Sequence, residues 1–273
     1  MIIDVAGYYE PAPTTAGLYT GIPEQRICDT RVSAPVNQCT GKETTAGRVL
    51  AFQLAGQGGL PASGLEAAVV DVTAIDSPEF GHPALAPASV PRPETSNLAF
   101  GAGEVVENSV LMPVDSSGNV AVYVANGAPA IVIDVSGYFT SSGCSATEGA
   151  EFAPMANQAR ICDTRTAEVS NPCTDKAIGP GQTLTAADAR IGDVPADASA
   201  VVLNITAVGS TAGGFVSVFP TGQSLPATSD VNFAPGEAVA GMAIATVGTS
   251  GSVNIYNSAG TTHVVVDIVG WYA

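Results

Sequence analysis

A six-residue string, Arg26-Ile27-Cys28-Asp29-Thr30-Arg31, returns 134 residues later as Arg160-Ile161-Cys162-Asp163-Thr164-Arg165. The match continues through Cys39-Thr40-Gly41-Lys42 and Cys173-Thr174-Asp175-Lys176. After the loss of one residue it holds at an offset of 133 to Tyr272. Asp71-Val72-Thr73-Ala74 faces Asn204-Ile205-Thr206-Ala207, Ser96–Phe100 faces Ser229–Phe233, and Gly103-Glu104 faces Gly236-Glu237. Tyr123 aligns with Tyr256, Asp134 with Asp267, and Gly137-Tyr138-Phe139 with Gly270-Trp271-Tyr272. Collinear matches of this extent mark a tandem duplication, so a fold assigned to one copy must suit both.

Each copy reads as strands. Val, Ile and Thr recur in short runs between Gly, Pro, Asn and Ser clusters. Thirty Gly, 19 Pro and two Lys disfavour long surface helices. In the first copy strands are expected near 25–31, 47–55, 66–75, 79–85, 95–100, 104–113, 119–125 and 130–139. In the second they fall near 159–165, 182–188, 200–209, 213–220, 228–233, 238–247, 252–257 and 263–272. Such spacing fits an antiparallel sandwich rather than βαβ units. The expected architecture is all-β, with two tandem antiparallel β-sandwich domains (Ig-like or jelly-roll-like) of about 130 residues each, 25–139 and 159–273. A Pro-, Thr- and Gly-rich stretch at 10–24 and a Ser-, Gly- and Ala-rich stretch at 140–158 are expected to be linkers.

A third copy of the closing element stands at the amino end. Ile2-Ile3-Asp4-Val5-Ala6-Gly7-Tyr8-Tyr9 reads like Val132–Phe139 and Val265–Tyr272. Three readings of residues 1–9 follow: the last strand of a preceding repeat, a strand for exchange with a neighbouring molecule's sheet edge, or a strand held within this chain. The start, Met1-Ile2-Ile3-Asp4, has neither the basic region nor the cleavage site of a secretory leader, so the compartment is inferred from the cysteines.

Cys28 and Cys39 lie 11 residues apart, as do Cys162 and Cys173. A local disulfide in each copy would contribute about 3 kcal/mol. Free thiols and a metal site are the alternatives, and two thiols without a nearby His fall short of a structural zinc set. Disulfides persist outside the cytoplasm, which points to a secreted or displayed protein. Cys144 has no counterpart in the second copy.

The chain has 25 acidic and 9 basic residues, a net charge of −16, yet Arg26, Arg31, Lys42, Arg160, Arg165 and Lys176 all fall in the duplicated cassettes. Asp4, Asp134 and Asp267 sit amid β-branched residues, where a buried carboxylate is costly unless paired. Bidentate pairs between Asp29 or Asp134 and Arg26 or Arg31 are expected, with Asp163, Asp267, Arg160 and Arg165 repeating them. A calcium site built on Asp29 and Asp134, or carboxylates that protect a sheet edge, are the rival readings.

Nothing assembles into a catalytic set. His82 and His263 stand opposite Phe215 and Ala130, outside the duplicated pattern, and both are expected to be solvent-exposed. Glu104 and Glu237 read as turn residues. There is no phosphate-binding glycine loop, Asn204-Ile205-Thr206 is a glycosylation triplet inside a strand, and no cofactor is expected. The negative charge opposes nucleic acid and anionic membranes, and no apolar run reaches the roughly 18 residues of a spanning helix. Tyr8, Tyr9, Tyr138, Phe139, Trp271 and Tyr272 offer stacking faces for a polysaccharide, or caps for the cores.

The Arg-Ile-Cys-Asp-Thr-Arg cassette, Val201–Ala207, Asp230-Val231-Asn232-Phe233 and Asp134-Val135-Ser136-Gly137-Tyr138-Phe139 together resemble a repeated domain of secreted proteins of actinobacterial type. There an "RxxDTR" opening and a "DVxGYF" close bracket each repeat. The resemblance implies extracellular or cell-surface tandem accessory modules and carries no activity. The expected function is a non-enzymatic structural or adhesive protein, a surface array or filament subunit that self-associates. A carbohydrate-binding accessory module is the alternative.

Overall fold

A computed structural model describes residues 18–93, 96–140, 150–165, 173–186 and 194–273. Within them the protein is all-β and antiparallel, with a single 3-10 turn at Thr249–Gly251. Two compact units divide the chain between residues 149 and 150, with 107–109 grouped with the second.

In the first unit the strands are β1 (Tyr19–Asp29), β2 (Val49–Gln53), β3 (Leu65–Ile75), β4 (Pro83–Pro87), β5 (Val105–Pro113), β6 (Asn119–Val124) and β7 (Ala130–Thr140). In the second they are β8 (Phe152–Asp163), β9 (Gln182–Ala186), β10 (Ala200–Val208), β11 (Gly214–Pro220), β12 (Val231–Phe233), β13 (Ala238–Thr246), β14 (Val253–Asn257) and β15 (His263–Tyr272). Sheet order is β1-β7-β3-β5 and β2-β6-β4 in the first unit, and β8-β15-β10-β13 and β9-β14-β11-β12 in the second. Position for position these are one topology, as a duplicated sequence requires.

Each unit is two sheets closed over a shared core, which follows from the alternation of side chains along a strand. In the first, Val70, Val72 and Ile133 of one sheet meet Leu50, Phe52 and Val122 of the other. In the second, Leu203, Ile205 and Ile268 meet Val216, Val253 and Ile255. The closing strands β7 and β15 are interior, hydrogen-bonded on both sides.

Three expectations change. The linkers at 10–24 and 140–158 are shorter, because Tyr19–Glu24 belongs to β1 and residues 152–158 to β8. Their turn-rich composition is tolerated where the ladders break: Pro23 falls in the gap between Gly21↔Gly137 and Gln25↔Val135, where no backbone donor is needed. The strand expected near 79–85 runs Pro83–Pro87, since the Ser77 hydroxyl closes a turn onto the Glu79 carbonyl (2.7 Å) just before it. The strand expected at 95–100 is reduced to one bridge, Gly81↔Phe100, which is the register of Gly214↔Phe233 in β11–β12. Side chains replace ladder acceptors there: Leu85 N donates to Asn97 Oδ1 (2.7 Å) and Val218 N to Asp230 Oδ2 (2.6 Å).

Candidate functional site

The cassette forms on the first strand of each unit. Residues three apart on a regular strand face opposite ways, yet Arg26 and Asp29 share a side. A bulge explains this: Arg26 pairs with Asp134 and Cys28 with Ile133, leaving Ile27 as an extra residue. Ile161 is the extra residue in β8, between Arg160↔Asp267 and Cys162↔Val266. The bulge turns Ile27 and Cys28 into the core and sets the charged side chains in series.

In the first unit Arg26 grips the closing strand with both prongs: Nε donates to Asp134 Oδ1 and Nη2 to Oδ2, each at 2.9 Å. Arg31 forks onto Asp29 (Nε–Oδ1 3.0 Å, Nη2–Oδ2 2.6 Å), and its backbone N–H donates to the same Oδ1. Arg26 Nη1 reaches Asp29 Oδ2 at 3.7 Å, linking the pairs into a row of four. In the second unit Arg160 holds Asp267 at 2.9 and 3.3 Å and leans toward Asp163, to which Nη1 donates at 3.2 Å. Arg165 forks onto Asp163 at 2.9 and 2.7 Å.

Between the paired residues, Thr30 extends the ladder. Its N–H donates to the Ile131 carbonyl (3.0 Å) and its hydroxyl accepts from Ile131 N (2.8 Å). Thr164 does the same with Val264 at 3.0 and 2.8 Å. A disulfide joins Cys28 to Cys39 and another Cys162 to Cys173, with Cα atoms 5.2 and 5.3 Å apart. Asn37, unmarked in the sequence reading, fastens the first loop: Oδ1 accepts from Asp29 N (3.1 Å) and Cys39 N (2.8 Å), and Nδ2 donates to the Asp29 carbonyl (3.2 Å). The available signal was its repetition as Asn171, two residues before the second cysteine of that copy.

Burial differs between the copies. Asp134 is 1% exposed and Asp267 20%. Burial pushes the Asp134 carboxyl up, against the downward pull of Arg26. Burial also pushes Asp29 up, but the fork, backbone N–H and charge of Arg31 outweigh it and hold the carboxyl below the usual range. The Arg165 fork holds Asp163 below that range against a lesser push from burial. The row fixes charge and ties strands together. Its own members present neither a nucleophile nor an uncommitted base.

Glu104 closes its own turn, Oε2 accepting from Gly101 N (2.7 Å), and Glu237 repeats this with Ala234 N (3.1 Å). Neither histidine is the exposed side chain expected: both are half-buried, with His263 Nδ1 3.1 Å from the Thr164 hydroxyl. Phe139 and Tyr272 are buried, while Tyr138 and Trp271 lie against the cores. The reason for the glycine before them was missed. A ring from the first strand crosses Gly137 and Gly270, where any Cβ would collide with Tyr19 or Phe152. Tyr19–Phe139 and Phe152–Tyr272 then form matching ring pairs with centroids 5.5 and 5.3 Å apart. The exchange-strand residues Ile2, Ile3, Asp4, Val5, Gly7, Tyr8 and Tyr9, and Cys144, lie outside the described residues.

The sequence matches no protein-family model and no curated protein. Among solved structures, GK1651 from Geobacillus kaustophilus is similar at 9% identity, covering 93% of this chain and 98% of its own, with a TM-score of 0.22. The N-terminal CBM22-1-CBM22-2 tandem domain from Paenibacillus barcinonensis Xyn10C is similar at 12% identity, covering 96% and 99%, with a TM-score of 0.23.

Proposed function

We propose that this chain is a non-enzymatic extracellular structural or adhesive protein, a tandem array of β-units or a filament subunit joined by strand complementation. The observation that supports it most is the position of the closing strand. β7 and β15 each lie between two bonded neighbours, with their Asp gripped by an Arg of the first strand. The third sequence of this kind, Ile2–Tyr9, includes the same central Asp. Among the described residues, the interior place beside the Arg-bearing first strand is taken by β7 in the first unit and by β15 in the second. On this reading the acceptor for Ile2–Tyr9 is an Arg-bearing first strand of another repeat or of another copy of the chain. Two disulfides suit an oxidising compartment, and among the described residues no helix is long and apolar enough to cross a membrane.

Light scattering on the full chain and on a variant lacking residues 1–9 tests this. Concentration-dependent assembly is expected of the full chain and a monomer of the deletion, with the fluorescence of Trp271 unchanged. A deletion that assembles as before, or a full chain that never assembles, discards strand complementation.

A further inference from the structure

The second sheet of the second unit has an outward face unlike its counterpart. Leu184 and Ala186 of β9, Val253 and Ile255 of β14, and Val216 and Val218 of β11 point into the core. The alternate residues therefore point out, with Ser217 and Phe219 of β11 buried and the β9 and β14 positions more open. Thr183 pairs across the sheet with Tyr256, and Thr185 with Asn254. Thr183 and Thr185 are exposed, while Asn254, Tyr256 and Phe215 are half-buried. The Tyr256 and Phe215 rings stand 6.2 Å apart at 50°. A recess of about 490 Å³, lined in part by Lys176, Gln182 and Thr183, adjoins the face.

In the first unit the corresponding positions are Val49, Ala51, Ala121, Tyr123 and His82. Ala121 is 1% exposed, and the Tyr123 hydroxyl donates to the Val90 carbonyl at 2.9 Å. That ring is sealed beneath the segment that follows β4, where Ala88 and Val90 lie. Among the described residues Tyr256 has no such bond, and the Thr183 hydroxyl likewise has no protein partner.

We propose that the β9–β14 part of this face, together with Phe215 of β11, binds a neutral polysaccharide. A pyranose offers an apolar C–H face for an aromatic ring and a rim of hydroxyls. Tyr256 supplies the ring, with its polar end toward water. The Thr183 hydroxyl can donate and accept, while Thr185, which donates to Asn254 Oδ1 (2.9 Å), still offers an acceptor and Asn254 its amide N–H groups. The outward residues of these strands carry no charge; Lys176 lines the adjoining recess, but a chain of net charge −16 repels an anionic polymer at long range, so an uncharged occupant fits best. The proposal is independent of assembly through residues 1–9.

Affinity electrophoresis of the full chain through native gels containing mixed-linkage β-glucan, glucomannan or xylan tests it. Retardation by at least one is expected. Tyr256→Ala should weaken it about tenfold, the scale of one lost aromatic stack. Tyr123→Ala should leave it unchanged, and the deletion of residues 1–9 should bind like the full chain. Because Tyr256→Ala also removes a ring contact, Thr183→Asp, a change to an exposed side chain, should weaken binding comparably with Trp271 emission unaltered. No retardation by any of the three polymers, or retardation unaffected by both substitutions, overturns the proposal.

Discussion

Asp134 and Asp267 occupy the same position on the same strand of a duplicated fold, yet they are held differently. Asp134 is almost fully buried and receives both prongs of Arg26 at 2.9 Å. Asp267 is one-fifth exposed, and its arginine divides its attention, with the second prong lengthened to 3.3 Å and Nη1 donating to Asp163 at 3.2 Å. The neighbouring ladder position differs too, Asp71 beside Asp134 and Asn204 beside Asp267. A guanidinium leans toward whichever carboxylate water has abandoned. Burial, more than the identity of the four residues, sets where the pairing is indispensable.

The sharpest way to break this comparison is to remove the arginines. Arg26→Ala leaves a carboxylate without water or cation and should cost about 3 kcal/mol or more, whereas Arg160→Ala, beside a carboxylate that water reaches, should cost about 1 kcal/mol. Urea unfolding separates the units, because the only tryptophan, Trp271, reports the second while circular dichroism reports both. Equal losses would show that burial is not the deciding variable.

Next comes the aromatic crossing. Gly137→Ala and Gly270→Ala should each cost about 1–3 kcal/mol by overpacking. The copies should part on rescue. The three atoms nearest a Cβ at Gly137 all belong to the Tyr19 side chain, so Tyr19→Ala should recover part of the loss. At Gly270 the Ala153 carbonyl also lies 2.9 Å away, so Phe152→Ala should recover less. Equal rescue in thermal melts of the double variants would contradict this account.

The smallest effect is on pH dependence. A carboxyl raised by burial, as Asp134 is, contributes most below its unfolded pKa of about 3.9, and that contribution is lost as pH climbs through the folded value. Asp29 and Asp163 are lowered, so their contributions are present above about 3.9 and lost as pH falls through the folded value. On acidification from neutrality toward pH about 4 the first unit should therefore gain stability relative to the second, and below that both should weaken. Unfolding midpoints measured across this range check it, and identical profiles would show that the burial of Asp134 does not set the pH response of the first unit.

The types of residue that build the site were legible, because arginines concentrated in an acidic chain and aspartates set among β-branched residues both violate local preference. Their partners were not. Ile27 and Ile161 give no signal of a bulge, since a β-branched residue suits an ordinary strand equally well, and only the pairing register places Arg26 beside both Asp29 and Asp134. Tyr19 and Phe152 were passed over because they lie in stretches that read as linkers, the first rich in Pro, Thr and Gly and the second in Ser, Gly and Ala.

By itself the sequence determined that two copies share one all-β fold, where most strands fall, and that charge and cysteine gather on the first strand of each. Those features are local or periodic, and periodicity survives without knowledge of neighbours. Only the tertiary structure decided that the closing strand is interior, which arginine meets which carboxylate, and how deeply each is buried. Register and solvent exclusion arise from residues more than a hundred positions apart, and identical strings in two copies can be given unequal surroundings.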